Sequence, residues 1–85
     1  MLKGGISPMQ EYEKIVEILD EYVKADEINP DDNFKTDLDM SSFDLIGFAT
    51  DVRDAFGVQL TVEAFINNPT VIQMTQYIVS EMKKN

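Results

Sequence analysis

Three stretches of this chain share one pattern, apolar residues at three- and four-residue steps. No stretch sustains the two-residue alternation of a strand. Tyr12, Ile15, Val16, Leu19, Tyr22 and Val23 mark the first stripe; Leu45, Phe48, Ala49, Val52 and Phe56 mark the second. Val71, Met74, Ile78 and Met82 mark the last, flanked by Ile72, Thr75, Tyr77 and Val79. Each stripe is the buried side of an amphipathic helix. A chain of 85 residues makes one small domain, so these faces must bury one another. The pattern predicts an all-α fold, a four-helix bundle with a long first loop and a short third helix. Val58-Gln59-Leu60-Thr61-Val62 alternates, but it is short and lies between helices.

Punctuation places the elements. Residues 1–6 read as a flexible lead-in and residues 7–85 as the domain. Ser7 caps the first helix, with Pro8 at its first position and Gln10 at its third. Glu11, Glu13, Glu17, Asp20 and Glu21 occupy the side opposite the stripe, which ends around Lys24. A loop over residues 25–40 follows, broken by Pro30 and Asp31-Asp32-Asn33. Ile28, Phe34 and Leu38 are its isolated apolar residues and plug into the core. Loops of this length in compact domains are often functional. The second helix spans residues 42–56. Ser41 is its N-cap, because Asp44 then completes a capping box, and Gly57 is its C-terminal stop. A short helix over residues 61–66 opens at Thr61 and ends at Asn67-Asn68-Pro69. The last helix opens at Thr70, with Gln73 completing a second box. Lys83 and Lys84 suit its negative C-terminal end.

With Ser41 capping, Ser42 becomes the first helical residue and its hydroxyl is free to point outward. An exposed hydroxyl at the positive end of a helix dipole is a good place for a phosphate ester. The chain has no His and no Cys, so no base is at hand to make Ser42 a nucleophile of its own. Chemistry at Ser42 therefore points to attachment rather than catalysis. Zinc lacks its usual ligands. Asp37-x-Asp39-x-Ser41 begins like a calcium loop, but the sixth position is Ser42 instead of Gly and the twelfth is Phe48 instead of Glu.

The second helix carries a second apolar face, Phe43 and Ile46, toward Thr50. Either the short third helix or the long loop covers these two, or they form a docking surface or a lip over a bound apolar group. Asp44, Asp51 and Asp54 lie on the solvent side of that helix. Between residues 25 and 82 the only basic residues are Lys35 and Arg53. The net charge of −9 excludes phosphate-driven binding of nucleic acid and favours basic protein partners. An apolar share of 44% argues for a folded chain. No run approaches the roughly 18 apolar residues of a membrane span, and the first residues lack a signal peptide's apolar core. A cytoplasmic monomer is the expectation.

Phe34-Lys35-Thr36-Asp37-Leu38-Asp39-Met40-Ser41-Ser42-Phe43-Asp44-Leu45 resembles the centre of the acyl carrier protein family. That family shows a Phe, then an Asp-Leu pair, then Asp-Ser-Leu opening the second helix. Ala55-Phe56-Gly57-Val58 resembles its helix end, and Thr70-Val71 and Tyr77-Ile78 its last helix. The resemblance runs from about Ser7 to Met82. It implies an acyl-carrier-like bundle and no enzymatic activity. It also implies 4′-phosphopantetheine on Ser42, transferred from coenzyme A by a separate magnesium-using phosphopantetheinyl transferase. The arm's thiol would hold an acyl or aminoacyl group as a thioester. Asp44, Ile46, Asp51, Asp54 and Phe43 would dock basic partners: the transferase, an acyl- or aminoacyl-loading ligase, and downstream transferases or synthases.

The chain departs from the family at Ser41, where an Asp is usual, at Phe43, where a Leu is usual, and at Gly47, where fatty-acid carriers have an acid. These departures lean away from classical fatty-acid synthesis and toward a dedicated pathway. Phe after the serine also occurs in D-alanyl and related aminoacyl carriers. The Gly-Gly pair seen before the serine in peptidyl carriers is absent. From the residues alone, an unmodified helical interaction module stays open beside the carrier.

Overall fold

The computed structural model describes residues 8–24 and 26–84. The Ser7 cap and the lead-in at residues 1–6 lie outside them. Four helices follow in order: α1 Pro8–Leu19, α2 Ser42–Phe56, α3 Val62–Asn67 and α4 Val71–Met82. Helix α1 packs chiefly on α4 and then on α2, while α3 packs on α4. Among the described residues the only extended pairing is an isolated bridge between Asn33 and Thr70. This is the predicted bundle, long first connection and short third helix included.

The caps form as the spacing requires. Ser41 Oγ accepts the Asp44 N–H at 3.1 Å, and the Asp44 carboxylate accepts the Ser41 N–H at 3.1 Å. Thr70 and Gln73 form the same reciprocal box on α4, and Thr61 caps α3 through the Ala64 N–H. Gly57 ends α2 at φ 72°, a left-handed conformation that glycine adopts without a Cβ clash.

Helix α1 ends earlier than the apolar stripe suggests. After Leu19 the chain tightens into bonds that span three residues, Glu21 N–H to Ile18 C=O and Tyr22 N–H to Leu19 C=O. Val23 is still delivered to the core. One expectation fails here. Glu11 is not on the solvent side but only 8% exposed, and its Oε1 has no hydrogen-bond partner among the described residues. Ile18 is buried as well. The buried arc of α1 is wider than the stripe because α1 packs against two helices.

The loop over residues 26–40 is held from both sides. Phe34, Leu38 and Met40 are buried and Ile28 is partly so. Burial of Phe34 alone is worth about 2 kcal/mol. Its ring lies 5.6 Å from Phe48 and 5.8 Å from Phe65, centroid to centroid, joining loop, α2 and α3. The loop also serves α4. The first amides of that helix have no partner within it. Val71 N–H donates to Asp32 C=O, and Ile72 N–H donates to Pro30 C=O. In return Phe34 N–H donates to Pro69 C=O. Within the loop, Asn33 Oδ1 accepts from Lys35 N–H and Thr36 N–H, and Met40 N–H donates back to Phe34 C=O. Asp39 turns the chain at φ 55°, a conformation that Asp tolerates better than most residues. The start of α2 is thereby fixed to the rest of the bundle.

Candidate functional site

Ser42 is the first residue of α2 and is exposed. Among the described residues no hydrogen bond engages its hydroxyl, since the cap is made by Ser41. Beside it opens a groove of about 460 Å³ between α2, α3 and the loop. Leu45, Ile46 and Ala49 form its α2 wall, and Leu60, Val62, Phe65 and Ile66 the opposite one. Asn33, Phe34, Lys35, Thr61 and Pro69 complete it. The lining is mostly apolar, and its rim is open to water. Ile46 is 66% exposed, Val62 76% and Ile66 68%. Phe43, next to Ser42, is 84% exposed. Neither α3 nor the loop covers Phe43, and Ile46 borders the groove rather than being sealed by it.

The five partner-binding candidates do not form one cluster. Phe43, Asp44 and Ile46 adjoin Ser42, but one Asp44 oxygen is committed to the capping box. Asp54 is exposed farther along. Asp51 does not lie open on the solvent side. It accepts a hydrogen bond from the Tyr22 hydroxyl at 2.5 Å. That bond, with partial burial and the nearby acids, pushes the Tyr22 phenol up from 10.0 to about 12. Gly47 explains how Tyr22 reaches its place. A Cβ at position 47 would stand 2.7 Å from the Tyr22 ring. The missing side chain makes room for the turn after α1 to lay an aromatic ring on α2. The sequence places Tyr22 on the first apolar stripe, where it packs against the core, and marks Gly47 as a missing acid, but it does not join the two. The signal available was a tyrosine just past the end of α1.

A free hydroxyl at a helix start, with an apolar groove running from it, can hold a covalent arm and shelter what the arm carries. A family model described as "Phosphopantetheine attachment site" matches residues 13–78. The chain is also similar to an acyl carrier protein of Thermobifida fusca (strain YX). The two are 33% identical over 66 residues, 75% of this chain and 84% of the relative. This chain belongs to the acyl carrier protein family. It is a carrier that holds 4′-phosphopantetheine covalently, not an enzyme. The residues present fit such an arm, because Ser42 offers an unengaged hydroxyl with open space beside it. Among the described residues no helix is long and apolar enough to cross a membrane.

Proposed function

We propose that Ser42 is the residue that bears the arm, and that the carrier presents apolar acyl groups as thioesters. The observation that carries this reading is the division of labour between the two serines. Ser41 is occupied as a cap, while the Ser42 hydroxyl is free on the rim of the groove. The positive end of α2 favours a phosphodiester at that point. When bound, the arm supplies a thiol for the thioester, and this chain's own residues position it and cover its cargo. Ile46, Val62 and Ile66 remove apolar cargo from water, at about 25 cal/mol for each Å² covered. Polar aminoacyl cargo would gain little from such walls, so the groove favours an acyl group over the D-alanyl class.

Partner enzymes dock on α2, with Phe43 as the apolar contact and Asp44 and Asp54 as the acids that meet basic patches. They are the phosphopantetheinyl transferase, a loading ligase and the downstream transferases or synthases. Asp51 contributes indirectly, by holding Tyr22 in the place of a side chain at position 47. Ser41, Phe43 and Gly47 suit a dedicated pathway, and the carrier acts as a cytoplasmic monomer in this reading.

The test compares holo and hexanoyl-loaded carrier by amide NMR. Shifts concentrated at Ile46, Leu60, Val62 and Ile66 are expected. Shifts confined to Ser42 and Phe43 would overturn the sheltering of cargo.

A further inference from the structure

The outward face of α2 carries a seam. Phe43, Ile46, Thr50 and Arg53 follow one another at steps of three, four and three residues, and all four are exposed. At 100° per residue they fall within about 80° of arc, along about 15 Å of the axis. Alternating steps of three and four are the spacing by which one helix meets another. Phe43 and Ile46 are large and apolar. Thr50 brings no unsatisfied polar group, because its hydroxyl donates to Ile46 C=O at 3.0 Å. The seam then ends in a guanidinium.

Charge makes that ending informative. Arg53 is the only cation on α2 of a chain with net charge −9. Asp54, Asp51 and Asp44 lie about 100° to 180° around the helix from it, so the acids form a separate flank. Among the described residues the ion pairs are Lys14–Glu17 and Lys84–Glu81, so no carboxylate of the chain holds Arg53. A cation in the last turn suits the helix dipole, but any position around that turn would serve it. A partner whose patch is basic throughout is attracted by Asp44 and Asp54 and repelled at Arg53. A planar guanidinium receives a carboxylate through two parallel bonds.

We infer that α2 receives an amphipathic helix of a partner enzyme, whose apolar side meets Phe43 and Ile46 and whose Asp or Glu meets Arg53. This rests on the reading of α2 as the docking face and names the chemistry that fits it. Seven residues separate Ile46 from Arg53, so the partner's carboxylate stands about 10 Å along from its contact with Ile46. The partner's basic groups meet the Asp54 flank. Arg53 thereby separates an enzyme that carries this acid from one that is basic throughout.

The probes are two stapled helical peptides, titrated into the full chain and followed by amide NMR. Both carry a leucine seam with lysines on one flank. Two turns beyond the central leucine, one has Glu and the other Gln. Net charge alone makes the Gln peptide the tighter binder on an acidic chain. Pairing with Arg53 should reverse that order by about threefold, the size of an exposed ion pair. The shifts should fall at Phe43, Ile46, Thr50 and Arg53. Arg53→Gln should abolish the Glu preference and Arg53→Glu should invert it, both with wild-type amide spectra elsewhere. Equal or tighter binding of the Gln peptide by wild type would overturn the proposal, as would a Glu preference that survives in Arg53→Gln. If Arg53→Gln lowered the melting temperature and left the ranking intact, Arg53 would serve the helix end alone, which also overturns it. If neither peptide shifted α2, the docking face itself would fall, and the proposal with it.

Discussion

Ser41 and Ser42 are the same residue type in adjacent positions, and one turn of backbone gives them different work. Ser41 has extended dihedrals, φ −77° and ψ 169°, that aim its hydroxyl at the Asp44 amide. Ser42 has entered the helix and is exposed. Ser41→Ala should therefore cost about 1 kcal/mol, measured by urea denaturation. Ser42→Ala should leave stability within about 0.5 kcal/mol, as for an exposed residue outside such features. This pair was legible in the sequence, because a capping box is a local rule that needs only the residues three apart. Tyr22 was legible as a stripe residue, but its bond to Asp51 was not, because Asp51 lies 29 residues away on α2. Its raised phenol gives a second prediction. The hydrogen bond to Asp51 needs the protonated phenol. The stability it contributes is complete below the ordinary tyrosine value of 10.0 and is lost as pH rises through about 12. In an ultraviolet titration, Tyr22→Phe should remove the component that ionises near 12. If that component persists in Tyr22→Phe, the assignment is wrong.

Among the elements, α1 shows how a stripe can be read too narrowly. Glu11 stands four residues before Ile15 and seven before Ile18, so the helical spacing placed it on the inner side. Its charge suggested the outer one. The second contact face of α1 could not be read without knowing that α1 lies against both α2 and α4. The contact between the turn after α1 and α2 is testable at Gly47. Glycine in a helix interior is normally about 1 kcal/mol worse than alanine. In a Tyr22→Ala background, Gly47→Ala should gain about that amount. With Tyr22 present the gain should vanish or reverse, because the new Cβ displaces the ring and its bond to Asp51. Equal gains in the two backgrounds, in a double-mutant cycle, would contradict the contact. The long loop was better anticipated. Its isolated apolar residues marked where it enters the core, though nothing local revealed that it satisfies the first amides of α4.

At the scale of the whole molecule, the fold class followed from periodicity, whereas the groove did not. Its walls come from residues 33–35, from α2, and from α3 with the segment leading into it, brought together only by packing. The sequence showed Ile46 as an apolar residue off the core stripe but not what stood opposite. Net charge acts on the entire bundle. With −9 spread over a small domain, self-repulsion opposes compaction and added salt screens it, over about 10 Å at 0.1 M. The melting temperature should rise with sodium chloride, and a salt-independent value would contradict this. The central claim, that Ser42 bears the arm while Ser41 only caps, is tested most directly by intact mass. Wild type, Ser41→Ala and Ser42→Ala would each be incubated with coenzyme A, magnesium and a broad-specificity phosphopantetheinyl transferase. Wild type and Ser41→Ala should each gain one phosphopantetheine, and Ser42→Ala none. A gain on Ser42→Ala, or none on wild type with several transferases, would contradict the account.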